Sequence, residues 1–143
     1  MTPQQKHLFT RRWRNVVKLR PKEVSLHIAL VSFLRLALRA DVLFFHVPNG
    51  ERRDPRTAAK LKAMGVLPGV ADLQFHWLDH FRRRRVLHLE LKGARGVQRD
   101  RQREFELAVR LLGDDYRVVR SIEEAAAILR ERQLLRPGVK VSE

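Results

Sequence analysis

Two stretches decide the fold: Val70-Ala71-Asp72-Leu73-Gln74-Phe75-His76-Trp77-Leu78, and Val86-Leu87-His88-Leu89-Glu90-Leu91-Lys92. Side chains on a strand alternate between its faces. In the second stretch Leu87, Leu89 and Leu91 share one face, which suits a core. Val86, His88, Glu90 and Lys92 share the other. In the first stretch Leu73 and Phe75, with Trp77, oppose Asp72, Gln74 and His76. Between them lies Arg82-Arg83-Arg84-Arg85, at the place of a hairpin tip, where four like charges stay in water. Such a tip serves either as a phosphate-gripping finger or as a soluble turn. The spacing predicts two antiparallel strands with one apolar face. The opposite face would gather Asp72, Gln74, Glu90, Lys92 and His88.

Working outward, residues 23–39 carry Val24, Ile28, Val31, Leu34 and Leu38 at spacings of three and four, a helical period, with Pro21 just before it. Residues 42–47 are a short run of strand formers stopped by Pro48-Asn49-Gly50. Residues 55–64 read as a short basic helix ended by Gly65. Residues 99–112 read as a helix with Phe105, Val109 and Leu112 inward and Gly113 as its stop. Residues 116–120 make a fourth strand, and Ser121 caps a last helix, with Glu124 completing a capping box. The expected order is α-β-α-β-β-α-β-α, an α/β fold with a central mixed sheet flanked by helices.

The chain has 143 residues, enough for one domain with a real core. Its 44% hydrophobic content excludes a disordered basic tail, which could not bury enough apolar surface to offset chain entropy. It has no cysteine, so disulfides, thiolate metal sites and cysteine nucleophiles are excluded. No apolar run approaches the ~18 residues of a membrane span, and the start lacks the apolar core of a signal peptide. The expectation is a soluble, intracellular protein. Thirty Lys and Arg against 16 Asp and Glu give a formal charge of +14. That charge points first to nucleic acid, ahead of an anionic membrane or a mere gain in solubility. Residues 1–22 hold seven of the bases and no acid, which leaves the rest at +7. They read as a basic arm or as a solvated tail.

Two carboxylates on one sheet face repel unless something positive lies between them. A divalent cation fits, since Mg2+ takes one or two carboxylates along with water and phosphate oxygens. Lys92, two residues from Glu90, would then orient the attacking water or stabilise transition-state charge. Taken alone, Glu-x-Lys on a strand reads first as a solvated ion pair at a sheet edge; its weight here comes from the Gly-Val-Ala-Asp turn into the first strand, the hairpin and the basic chain. Glu23 and His27 share a helical face. Glu23 either complements the helix dipole or adds a third acidic group to the metal site.

The separated runs His46-Val47-Pro48-Asn49-Gly50, Ala58 to Val66, Pro68-Gly69-Val70-Ala71-Asp72-Leu73 and Glu90-Leu91-Lys92, then Gln102 and Phe105, occur in an order that resembles the VRR-NUC family of the PD-(D/E)XK nuclease superfamily. The resemblance spans about residues 23 to 130. It implies a restriction-endonuclease-like fold and a Mg2+- or Mn2+-dependent DNA endonuclease. By the same resemblance, Asp72, Glu90 and the carbonyl of Leu91 hold the metal, and Glu23 reaches it directly or through water. Lys92 would be the catalytic lysine, and Gln102 would support it and the scissile phosphate. Two positions depart from the pattern. Ala71 stands where the superfamily has proline, and His27 stands where a glutamine is often found.

Asn49, Arg52, Arg53, Arg56, Arg99 and Arg101 are candidates for holding backbone phosphates, though Asn49 is equally a turn former. His76 and His88 lie on the polar strand faces, and Trp13 and Trp77 are candidates for base stacking, with Trp77 placed by alternation toward the core. The expected organisation is a basic arm (1–22), a nuclease domain (23–135) and a tail (136–143). The expected activity is hydrolysis of branched DNA, at Holliday junctions or flaps, in repair, recombination or phage genome processing. It would act as a cytoplasmic homodimer of bacterial or phage origin with no membrane partner. The alternatives are a non-cleaving DNA-binding module on a nuclease fold and a basic RNA- or ribosome-associated protein.

Overall fold

A computed structural model describes residues 23–48 and 54–141. The hairpin at its centre consists of β2 (Leu73–Leu78) and β3 (Arg84–Leu91). They pair antiparallel, with Leu73 opposite Leu89 and Phe75 opposite Leu87. Strand β1 (Leu43–His46) adds antiparallel to β2, and β4 (Asp115–Val119) adds parallel to β3, giving a mixed sheet in the order β1-β2-β3-β4. A parallel neighbour requires a crossover, and helix α3 (Asp100–Leu111) supplies it between β3 and β4. The remaining helices are α1 (Glu23–Ala37), α2 (Pro55–Ala63) and α4 (Ile122–Glu131).

The two faces of the sheet bury different cores. On one, Leu73, Phe75, Leu87, Leu89, Leu91 and Val119 pack with Leu30 and Leu34 of α1 and with Ala125 and Leu129 of α4. Trp77 lies partly buried against this core. On the other, Ala71 and Tyr116 pack with Val109 of α3, flanked by Phe105 and Val118. The hairpin's polar face therefore lies on the α3 side.

Several sequence expectations are corrected. Of the expected stripe, Leu34 and Leu38 are buried and Val31 packs against the core, but Val24 and Ile28 are 70% and 64% exposed, and α1 buries Leu26, Leu30 and Ala37 in addition. The helix carries two apolar stripes of helical period, and only the position of the sheet chooses between them. Leu112 is 81% exposed and stands outside α3 as its C-cap, so Val109 is the buried side chain of that helix. The arginine block divides: Arg84 and Arg85 belong to β3, and Asp79 builds the turn. Its carboxylate accepts from the N–H groups of Phe81 (2.9 Å) and Arg83 (3.0 Å), while Arg82 sits at φ 59°. β2 begins at Leu73, three residues later than the pattern suggested, and β4 runs from Asp115 to Val119. The Ser121 hydroxyl accepts from Glu124 N–H at 3.1 Å, the expected cap. Glu124 reaches back to Arg120 N–H, one residue earlier than a capping box requires. Pro21 and Gly50 lie outside the described residues. No helix among the described residues is long and apolar enough to cross a membrane.

Candidate active site

Asp72 precedes β2 by one residue, and Lys92 follows β3 by one. Antiparallel pairing therefore brings both to the same end of the hairpin, where Glu90 lies near the end of β3. Asp72 Oδ2 accepts the Leu91 N–H at 2.8 Å, which ties the first carboxylate to the backbone of the second strand. Glu90 is only 2% exposed, because β3 runs between β2 and β4 and α3 covers this face. Its Oε1 accepts from Lys92 Nζ at 2.9 Å and from the Gln102 side-chain amide. Its Oε2 is buried with no hydrogen-bond partner among the described residues. Burial, and then the nearby Asp72 charge, push the Glu90 carboxyl up to about 7 against the pull of Lys92; Glu23 adds to the rise.

Gln102 serves the helix and the site together. In the first turn of α3, its Oε1 accepts the Arg99 N–H at 2.9 Å while its amide donates to Glu90. Gly69 allows the preceding turn to reach this helix start. It sits at φ 86°, and a Cβ there would fall 2.3 Å from the carbonyl oxygen of Arg101. Only glycine fits so close an approach with a left-handed backbone.

Lys92 is itself buried, with 6% of its surface exposed. Its stem lies against the Gly93–Gly96 turn, where a Cβ on Gly96 would stand 3.3 Å from Lys92 Cδ. Arg120 clamps that turn by donating to the carbonyls of Gly93 (2.6 Å) and Gly96 (2.7 Å). Sequence reasoning missed this clamp, and the glycine pair just after Glu90-Leu91-Lys92 was its signal. Behind the site, the buried Tyr116 hydroxyl accepts from the Gln98 side chain. Burial, and secondarily the Glu90 charge, raise its phenol well above the ordinary range, so it stays neutral.

Glu23 opens α1 as an exposed residue, and its charge acts on both Glu90 and His27. His27, one turn on, meets His46 edge to face, with ring centroids 4.4 Å apart. His46 Nδ1 lies 2.7 Å from the Asp72 carbonyl oxygen. Burial, then the His46 charge, lower the His27 pKa, partly offset by Asp72 and Glu23. His46 is a residue that sequence reasoning missed; its place in the His46-Val47-Pro48-Asn49-Gly50 run was the signal.

Other candidates are placed elsewhere. His88 shares the polar face but turns to Asp114 Oδ2 at 2.9 Å and packs edge-on against Phe105. Gln74 lies opposite His88 in the register and 3.4 Å from His76, which in turn accepts from Arg84 at 2.9 Å. Neither histidine joins Asp72 and Glu90. Arg56, Arg99 and Arg101 are exposed; Arg99 and Arg101 lie at the start of α3, one on each side of Asp100, and Arg101 also pairs with Glu104 at 3.3 Å. Asn49, Arg52, Arg53 and Trp13 lie outside the described residues.

Comparisons with protein-family models, with curated proteins and with solved structures find no match. The chemistry of the site is therefore read from its own atoms. Its acidic donors are hard carboxylate oxygens, and one of them, Glu90 Oε2, is buried without a partner. That set suits an Mg2+- or Mn2+-like cation.

Proposed function

We propose that this protein is a metal-dependent DNA endonuclease on a restriction-endonuclease-like fold, selective for branched or flapped DNA. One observation carries the reading. Asp72, Glu90 and Lys92, from the two arms of one hairpin, meet at its end with a buried Glu90 oxygen left over. Had Glu90 and Lys92 formed only a surface ion pair, both would sit in water; instead both are buried.

Asp72, Glu90, Glu23 and the Leu91 carbonyl would hold Mg2+ or Mn2+, which supplies an acidified water and offsets phosphate charge. The chain's own residues do the rest. Glu90 holds Lys92 Nζ at the site, and Gln102 holds Glu90. The ammonium would orient the attacking water or donate to a phosphate oxygen, where it stabilises negative charge as it develops. Water adds to phosphorus, the bond to the 3′ oxygen breaks, and a 5′-phosphate and a 3′-hydroxyl result. Arg99 and Arg101, together with Arg56, Asn49, Arg52 and Arg53, would grip phosphates on either side. A homodimer would present two such sites to a branched substrate. The cellular setting would be the cytoplasm of a bacterium or a phage-infected cell.

The test offers labelled four-way junction, flap, single-stranded and linear duplex DNA to the full chain with Mg2+, Mn2+ or EDTA. Metal-dependent cutting that Asp72→Ala, Glu90→Ala and Lys92→Ala each abolish supports the reading. Binding of every DNA with no cutting under either metal leaves a non-cleaving binding module.

A further inference from the structure

His27, His46 and Asp72 come from three different elements, α1, the end of β1 and the residue before β2, and one ligand atom from each lies within 4.8 Å of the others. The Mg2+ reading has no use for two imidazoles, because Mg2+ prefers oxygen. The geometry around His46 gives them a use. The Asp72 carbonyl only accepts hydrogen bonds, so the ring nitrogen 2.7 Å from it, Nδ1, carries the proton. The same carbonyl also accepts the Val47 N–H at 3.0 Å, which fixes it in place. In the neutral ring Nε2 of His46 is then the bare nitrogen. An imidazole that donates one N–H to a backbone carbonyl and presents its other nitrogen is the usual arrangement of a metal-binding histidine.

His27 is half-buried against that ring, and Asp72 keeps oxygen lone pairs beyond the one taken by the Leu91 N–H. We propose that His27, His46 and Asp72 form a second metal position, an open three-ligand site for a Zn2+-class ion. It adjoins the proposed nuclease centre through the shared Asp72. Bonds of ~2.1 Å to a first-row ion require the three side chains to close on one another by rotation of their χ angles. The exposed His46 leaves a coordination position facing water. The proposal goes beyond the nuclease reading and does not depend on cleavage.

The experiment uses the untagged full chain, stripped of metal and titrated with Co2+ while the visible d–d absorption is followed, then back-titrated with Zn2+ and with Mg2+. One Co2+ per chain is expected, displaced by Zn2+ and not by millimolar Mg2+. His27→Gln and His46→Gln should each weaken binding by about 10-fold or more. His76→Gln and Glu90→Gln should retain it, with circular dichroism confirming the fold of every variant. Absence of Co2+ binding, wild-type affinity in either cluster variant, or loss in Glu90→Gln equal to that in His46→Gln would overturn the site. Cleavage, assayed separately with Mg2+, decides the nuclease reading independently.

Discussion

Glu90 is where burial and charge oppose each other most sharply. Its carboxyl, ordinarily near 4.5, is raised to about 7, so between those values the folded chain binds more protons than the unfolded one. Stability contributed by this group is present below its ordinary value and lost as pH rises through 7, a swing of roughly 3 kcal/mol. His27 has the opposite sign: its lowered pKa means that stability rises with pH below its ordinary 6.5. The two are separated by comparison with Glu90→Gln in EDTA. The wild-type melting temperature minus that of Glu90→Gln should fall between about pH 5 and 8; a flat difference would show that Glu90 is not raised. Lys92→Met removes the buried ammonium that Glu90 faces, and cutting should drop by about 100-fold or more. Gln102 is a positioning residue. On the proposed reading Gln102→Ala should slow turnover by roughly 10-fold with little change in KM, because its amide holds Glu90 in place.

At the scale of elements, the site depends on how the start of α3 is seated. Gly69→Ala places a Cβ 2.3 Å from the Arg101 carbonyl at φ 86°, so the turn or the helix must move. A loss of about 2 kcal/mol or more is expected in denaturant unfolding, along with reduced cutting, because Gln102 moves with the helix. Ser121→Ala at the start of α4 removes a cap on the far side of the sheet and should cost about 1 kcal/mol without altering cutting. A cutting defect in Ser121→Ala equal to that of Gly69→Ala would mean that the site responds to stability in general. The hairpin itself was legible because Leu73, Phe75 and Trp77 alternate with Gln74 and His76, and Leu87, Leu89 and Leu91 with His88 and Glu90, so that one apolar half must be buried. The buried side of α1 was legible only at Val31, Leu34 and Leu38, since over the first two turns Val24 and Ile28 lead to Leu34 as regularly as Leu26 and Leu30 do.

For the whole molecule, the relevant quantity is charge. The chain carries +14, of which residues 1–22 contribute half. Each phosphate neutralised adds about 0.9 to the slope of log affinity against log salt on duplex DNA. Deleting residues 1–22 should lower that slope by several contacts' worth if the arm grips DNA, and leave it unchanged if it is only solvated. The hairpin tip at Asp79–Arg83 begins roughly 24 Å along β2 from Asp72, at ~3.4 Å per residue. Arg82 and Arg83 are thus far from Asp72 and Glu90, and on the proposed reading they would meet the duplex on its flank and not at the scissile phosphate.

The sequence by itself determined the strand pairing and the polar face, because a two-residue period with one apolar half admits one way to bury it. It also gathered Asp72, Glu90 and Lys92 on one sheet face, and the antiparallel register of the structure sets them at one end of the hairpin. Only the tertiary structure decided that Glu90 is buried with a spare oxygen, that His88 faces Asp114, that Arg120 clamps the Gly93–Gly96 turn and that His27 and His46 meet at Asp72. Each of these depends on contacts between segments far apart in the chain, where neither period nor propensity carries information and packing alone sets the partner.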